Sequence, residues 1–174
     1  MKRDFTCDVV DGLWVADMTR FTTRQGHSHL AAVLDIKTKR IVGWSLSRRR
    51  TAGLAAAAVQ MAHTRRTPNS KPIHHSDQGA EYTATIFTDL LEDLDITMSL
   101  GSVGNCYDSA AIESFWATMK RELAWIYGTI AFDTHRELQA AVFDYIEVFY
   151  NNQRHQQKLG DLTPNEHYQN VIAA

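Results

Sequence analysis

The sequence is poor in cysteine, contains no long apolar run and shows no excess of positive charge. Its two cysteines among 174 residues, Cys7 and Cys106, lie far apart without a C-x-x-C partner, which excludes a disulfide framework and a zinc ribbon. No window approaches the ~18 consecutive apolar residues of a membrane span. The first residues also lack the apolar segment of a secretory signal. We therefore expect a soluble protein of a reducing compartment that does not act in a membrane.

The small net charge hides an uneven distribution. Eighteen Lys and Arg against 20 Asp and Glu give a formal charge of −2, which excludes a polycation that holds nucleic acid by charge alone. Residues 1–76 nevertheless carry 13 basic and 5 acidic side chains, whereas residues 77–174 carry 5 and 15. The basic residues of the first part are available for phosphate contacts if the fold brings them together.

The length and the pattern of apolar residues predict one α/β domain spanning residues 1–174, without repeats or linkers. The predicted strands are 13–21, 29–36, 40–47, 71–76 and 96–99. The predicted helices are 52–65 with Thr51 as N-cap, one capped by Thr83, one from Asp108 or Ser109 to about Leu123, and one from the capping box at Thr134 to about Asn151. This order implies a five-stranded mixed sheet, three antiparallel strands and then alternating helices and strands, with helices on both faces.

Three carboxylates stand out from the solvated majority. Asp17 lies inside the apolar strand, where a buried charge is costly unless something compensates it. Asp77 directly follows the fourth strand, at the sheet edge where ligands of α/β proteins usually bind. Glu113 lies one turn into the third helix. Each could instead be a cap, a turn residue or a salt-bridge partner, and a turn is the commoner role for an aspartate placed like Asp77.

A shared chemical requirement favours treating the three acids as one set. Two Mg²⁺ ions about 3.5–4 Å apart need oxygen ligands from several directions, and together they clamp both oxygens of an in-line phosphoryl displacement. A strand, a strand end and a helix N-terminus supply three such carboxylates.

Four segments in order resemble the D-D-E catalytic core shared by retroviral integrases and bacterial insertion-sequence transposases. Thirty-five residues separate Asp77 from Glu113, the spacing that names the second and third acids of that family, and Lys120 stands seven positions later, where integrases keep a basic residue. The resemblance covers about residues 10–168. The segments are W-V-A-D-M-T (14–19), H-S-D-Q-G-A-E-Y (75–82), N-C-Y-D-S-A-A-I-E-S-F (105–115) and the tail F-Y-N-N-Q-R-H (149–155) with L-G-D-L-T-P (159–164).

The resemblance implies a ribonuclease H-like fold in which Asp17, Asp77 and Glu113 are the catalytic acids and bind two Mg²⁺ ions, for which Mn²⁺ can substitute. It implies cleavage of transposon DNA ends and transfer of the freed 3′-hydroxyl to target DNA, by two-metal phosphoryl transfer. The implied partners are DNA, further copies of the chain, and an upstream DNA-binding region, because transposases of this kind carry one and this chain starts just before the first segment. The implied location is the bacterial cytoplasm, at the nucleoid when the protein acts on DNA.

The sequence departs from the family pattern at three positions, and none of them is one of the three acids. Gln78 replaces a usual Arg, Ser109 a usual Asn and Ala16 a common Thr, so the departures bear on DNA contacts or rate.

Lys120, His75 and Arg154 are the candidate DNA contacts. Lys120 shares a helix face with Glu113, and His75 precedes Asp77 closely enough to meet DNA or a metal-bound water. Alternatives remain for each: an ordinary exposed lysine, a structural histidine and a helix C-cap. The triplet Arg48–Arg50 fits a DNA contact and a solvated edge equally well.

Two other functions fit the same pattern. One is a ribonuclease H-like or junction-resolving nuclease, which the Asp77–Glu113 spacing and the tail disfavour. The other is an inactive relic domain kept for DNA binding or assembly, against which the intact acids argue.

Overall fold

Five strands form a mixed sheet in the computed structural model, which describes residues 7–101 and 110–174. β1 (Leu13–Thr23), β2 (Gly26–Asp35) and β3 (Ile41–Ser47) pair antiparallel, while β4 (Ile73–Ser76) pairs parallel to β1 and β5 (Thr97–Leu100) parallel to β4. The strand order is β3-β2-β1-β4-β5. β1 therefore lies at the centre of the sheet, where its antiparallel and parallel halves meet.

Helices cover both faces of this sheet. One face packs against α1 (Ala52–Arg65), α2 (Ala80–Thr83) and α3 (Thr85–Asp93), and the other against α4 (Ala110–Tyr127), α5 (His135–Phe143) and the π-helical segment Asp144–Tyr150 that continues α5. A 3₁₀ turn (Gln157–Leu159) and α6 (Pro164–Ile172) follow. Within the described ranges, no helix has both the length and the apolar character needed to cross a bilayer.

The alternation of side chains along β1 explains why both faces are covered. Val15 and Phe21 belong to the core beneath α4 and α5, whereas Trp14 and Met18 belong to the core beneath α1 and α3. A strand that is apolar on both faces must be buried on both. Asp17 has the same parity as Val15, so its carboxylate faces α4.

Side-chain caps fix the starts of three helices. The Thr51 hydroxyl accepts a hydrogen bond from the backbone N–H three residues further on, as predicted. The predicted capping box of Thr134 and Glu137 is present at α5. A second capping box, Thr163 with Glu166, opens α6, which the pattern analysis did not predict.

The predicted fold class, a five-stranded mixed sheet flanked by helices, is confirmed, but some helix bounds were wrong. Thr83 does not cap a helix: it ends α2, where its hydroxyl donates to the Gly79 carbonyl, and Ala84 is extended before α3 begins. α4 runs on to Tyr127, and the last predicted helix changes to π-geometry at Asp144. The proposed caps 108 and 109 lie outside the described residues.

Gly43 lets α1 approach the sheet, and its replacement tests this packing. A Cβ at Gly43 would lie 2.1 Å from the Ala58 carbonyl oxygen and 2.9 Å from the Ala62 Cβ. We expect Gly43→Ala to lower the free energy of unfolding, measured by urea titration, by about 1–3 kcal/mol, because overpacking forces backbone shifts.

Gly53→Ala is the matched control, since its Cβ would meet only the Thr51 hydroxyl at 3.7 Å. It should leave the stability unchanged or raise it by up to about 1 kcal/mol, as expected for Gly→Ala within a helix. Equal effects of the two substitutions would contradict the proposed close packing of α1 on β3.

Candidate active site

The pairing of β1 with β4 brings two of the predicted acids together. In this parallel pair Val15 lies opposite His75, and continuing the register by two residues places Asp17 opposite Asp77. Side chains two residues apart share a face, and neighbouring strands lie about 4.7–4.9 Å apart. Asp77 is the first residue after β4, and its charge acts on Asp17, so the two carboxylates lie close enough at the end of β4 to influence each other.

Asp17 is half-buried and receives a specific hydrogen bond from α4. The indole N–H of Trp116 donates to the Asp17 Oδ2 over 3.0 Å. Burial raises the pKa of Asp17 above its ordinary value, and the charge of Asp77 adds to the rise, while the Met18 backbone N–H, the Trp116 bond and the charge of Arg50 oppose it. Asp17 is thus held in a site where its negative charge is only partly compensated.

Asp77 is exposed and shapes the turn that follows β4. Its Oδ1 accepts a hydrogen bond from the Gly79 N–H over 3.0 Å, and a Cβ at Gly79 would lie only 2.9 Å from that same oxygen. The turn role considered for Asp77 is therefore real. It uses one carboxylate oxygen, and the second is available to a ligand.

Tyr82 is a buried neighbour of both aspartates that the sequence analysis did not single out. Its side chain is 1% exposed, and its hydroxyl makes no hydrogen bond to any residue that the structure describes. Burial raises the pKa of Tyr82 well above its ordinary value, and the charges of Asp17 and Asp77 raise it further. A buried hydroxyl without a partner costs about 1–3 kcal/mol, and Tyr82 belongs to the core beneath α1 and α3.

A charged pair borders the same site. Arg50 Nε lies 2.9 Å from Glu81 Oε1 in an ion pair between the end of β3 and α2. The positive charge of Arg50 acts on both Asp17 and Tyr82 and opposes part of the rise in the pKa of each. Of the triplet Arg48–Arg50, this residue is therefore placed beside the acids.

Glu113 is placed on α4 but is not gathered with the two aspartates. It is exposed in the first turn of the helix, three residues before Trp116. Among residues 7–101 and 110–174, no three His, Cys, Asp or Glu side chains are grouped as a metal site. The structure thus brings Asp17 and Asp77 near each other. Glu113 lies on α4, the helix whose Trp116 donates a hydrogen bond to Asp17.

Lys120 is the candidate DNA contact that lies beside the acids. Its ammonium group sits 5.5 Å from the centre of the Phe21 ring. Burial lowers the pKa of Lys120, while the charge of Asp17 raises it. Lys120 and Asp17 therefore belong to one electrostatic neighbourhood.

The other two candidates lie in different environments. His75 is 3% exposed, and its Nδ1 lies 3.0 Å from the Ser99 hydroxyl within the sheet. Arg154 is half-buried and forms an ion pair with Glu122, with 2.8 Å between its Nη2 and the Glu122 Oε1. Neither side chain is gathered with the acids.

Burial alone does not mark a functional carboxylate in this protein. Asp11 and Asp35 are 1% and 0% exposed, and each accepts several hydrogen bonds, from Trp14 and Thr67 in one case and from Thr38 and the Asp11 N–H in the other. Burial raises the pKa of Asp35 to about 6. Asp11 and Asp35 lie near each other, and each accepts at least three hydrogen bonds, whereas the described side-chain bond to Asp17 is the single one from Trp116.

Comparison with known proteins defines the class. Residues 9–106 match the family described as "Integrase core domain", and residues 113–172 match a second family of the same description. The chain belongs to the integrase core domain family.

Within that class the chain is most usefully compared with bacterial insertion-sequence proteins. It is 35% identical to the transposase InsF of insertion sequence IS3A from Escherichia coli over 166 residues, which cover 95% of this chain and 57% of that protein. It is also 35% identical to an uncharacterized 31 kDa protein of insertion element IS600 from Shigella sonnei, covering 94% and 59%. The chain therefore spans less than two thirds of the length of these relatives.

Solved structures confirm the ribonuclease H-like fold predicted from the resemblance. The catalytic core of BIV integrase has a TM-score of 0.67 at 21% identity, covering 94% of this chain and 97% of that one. A chain of a simian T-cell lymphotropic virus intasome has a TM-score of 0.74 at 17% identity. The match covers 93% of this chain and 56% of that one. The HTLV-2 integrase catalytic core in complex with magnesium has a TM-score of 0.67 at 14% identity. The match covers 91% of this chain and 97% of that one.

The Trp116–Asp17 hydrogen bond can be tested by titration. Because the indole N–H donates to the carboxylate and lowers its pKa, we expect Trp116→Phe to raise the pKa of Asp17 further, as measured by carboxyl-carbon NMR against pH. Trp125→Phe on the same helix is the control, since Trp125 is 86% exposed. An Asp17 pKa that is unchanged or lower in Trp116→Phe would show that the bond does not stabilise the charged form.

Proposed function

We propose that this chain is the catalytic core of an enzyme that cleaves the DNA ends of a mobile element and joins them to target DNA. The observation that carries the proposal is that Asp17, which accepts a hydrogen bond from Trp116 of α4, lies close enough to Asp77 at the end of β4 to feel its charge. The similarity to an insertion-sequence transposase supports DNA as the substrate. The reaction class is polynucleotidyl transfer.

The site suits a hard divalent cation, and Asp17, Asp77 and Glu113 would hold it. Two converging carboxylates of like charge are compensated by a cation, and oxygen donors are what Mg²⁺ prefers. The solved HTLV-2 integrase core contains magnesium. Bound Mg²⁺, proposed as two ions and replaceable by Mn²⁺, would supply Lewis-acid stabilisation of phosphoryl transfer.

The chain's own residues would orient the substrate and the acids. Trp116 holds the Asp17 carboxylate in one orientation, and Lys120 lies where it can bind a DNA phosphate next to the acids. Arg154 would contact DNA from the far flank of α4. His75 is buried, so we assign it support of the β4 end through Ser99 rather than a DNA contact.

We also propose that the full protein acts as a homo-oligomer and carries a DNA-binding region outside this chain. One solved relative in fold is an intasome, and the relatives of known sequence are longer than this chain. The end of α4 exposes a run of apolar side chains suited to self-association, namely Trp125 at 86%, Ile126 at 45% and Tyr127 at 42%. A bacterial protein of this type would work at the nucleoid.

Asp77→Asn in the full-length protein tests the catalytic assignment. The amide oxygen of Asn can still accept the Gly79 hydrogen bond, so the turn is kept while the charge is lost. We expect strand transfer of element-end DNA to fall by at least about 100-fold, since loss of an outer-shell partner alone typically costs 10–100-fold. Product formation on labelled DNA gives the measurement.

Asp89→Asn is the control, because Asp89 is an exposed aspartate on α3. It should leave the rate unchanged. Strand transfer that survives Asp77→Asn at the wild-type rate would contradict the assignment. Efficient cleavage of an RNA–DNA hybrid without activity on element ends would instead identify a ribonuclease H-like nuclease, and inactivity of the wild type on both would favour the relic domain.

A further inference from the structure

A basic cavity lies on the opposite flank of α4 from the acids. Its volume is about 440 Å³, within the ~300–1,000 Å³ that ligand sites usually occupy. The wall from α4 consists of Ala111, Phe115 and the hydroxyl-bearing Ser114 and Thr118. The remaining wall carries three cationic side chains, Lys39, Arg154 and Lys158.

Two of these cations lack a close ion-pair partner among the described residues, although the charge of Asp35 acts on Lys39. In the part of the chain that the structure describes, neither Lys39 nor Lys158 forms a side-chain ion pair, whereas Arg154 is neutralised by Glu122. Burial, followed by the charge of Lys158, lowers the pKa of Lys39, and burial, followed by the charge of Arg154, lowers the pKa of Lys158. The ammonium groups thus repel one another in a partly dry cavity, a situation that an anion relieves.

The backbone of Lys39 is fixed by the residues around it. Lys39 has a φ of 58°, in the left-handed region where Gly or Asn costs less. The conformation is held from both sides: the Lys39 N–H donates to the Asp35 carbonyl at 2.9 Å, and the Tyr150 hydroxyl donates to the Lys39 carbonyl at 3.1 Å. The left-handed conformation belongs to the tight turn between β2 and β3, and the two bonds fix the backbone from which the Lys39 side chain lines the cavity.

We propose that this cavity binds a phosphate group of the DNA backbone through Lys39 and Lys158, with Ser114 and Thr118 as hydrogen-bond donors. The choice of DNA rests on the proposed function. Ser114 directly follows Glu113, so the cavity begins about 100° around α4 from that acid. A helix is about 10–12 Å wide with its side chains, and a DNA strand advances about 3.4 Å per nucleotide, so one strand reaches both flanks within about three nucleotides.

Salt dependence of DNA binding separates this contact from a structural role. We would measure the affinity of a 20-base-pair duplex by fluorescence anisotropy across a salt series, comparing wild type with Lys39→Asn/Lys158→Gln. Asn suits the left-handed backbone at position 39, so the variant should fold, which thermal unfolding checks. The expected result is a slope of log K against log salt that is smaller by about 0.9, the value for one lost phosphate contact.

Lys37→Gln/Lys71→Gln removes the same charge elsewhere and is the matched control. Both lysines lie in surface ion pairs, with Asp8 at 3.7 Å and Asp95 at 2.9 Å. The control should keep the wild-type slope. A slope unchanged in the cavity variant, or reduced equally in the control, would overturn the proposal.

Titration of the wild-type chain with inorganic phosphate, followed by amide NMR, tests the cavity apart from the catalytic assignment. Shifts centred on residues 39, 114, 118 and 158 that duplex DNA reverses by competition support the proposal. Shifts elsewhere only, or shifts that DNA does not reverse, overturn it. Phosphate and DNA binding in the cavity by a protein whose strand transfer survives Asp77→Asn would contradict the proposed catalytic site and leave the cavity proposal intact.

Discussion

The parallel pairing of β1 with β4 brings Asp77, the first residue after β4, close enough to Asp17 for the two like charges to repel each other. Neither can relax away, because Asp17 is rooted in a strand buried on both faces and Asp77 is held by the turn to Gly79. The Trp116 hydrogen bond and the Arg50 charge offset part of the repulsion. In the proposed function a cation bound by the two carboxylates would offset the rest.

The fold brings basic residues from the first half of the chain to particular places on the protein. Basic residues from the first half reach two places on either side of α4: Arg50 borders the acids, and Lys39 enters the cavity on the far flank. Residues from the acidic second half neutralise some of them, as Glu81 does for Arg50. A near-neutral composition is thus compatible with basic residues grouped at particular places on the fold.

Much of the fold could be predicted because its signals are local. Alternating apolar residues in β1 and the caps at Thr51 and Thr134 each depend on neighbours within a few residues. The site was less predictable. A buried indole N–H such as that of Trp116 generally finds a hydrogen-bond partner, but sequence alone does not identify it, because the partner, Asp17, lies 99 residues away. The places of Tyr82 and Arg50 likewise depend on tertiary contacts. The predicted helix start at Thr83 was wrong, because the Thr83 hydroxyl donates to the Gly79 carbonyl within α2 and does not cap the helix that follows.

The central claim is that Asp17 and Asp77 form a divalent-cation site that Glu113 completes. Crystals soaked in Mn²⁺ test it most directly, because anomalous scattering locates the metal without reference to activity. The account predicts anomalous density between the Asp17 and Asp77 carboxylates, within coordination distance of Glu113, and none at the buried carboxylates Asp11 and Asp35. Density that is absent from the paired aspartates at millimolar Mn²⁺, or that lies only at other carboxylates, would contradict it.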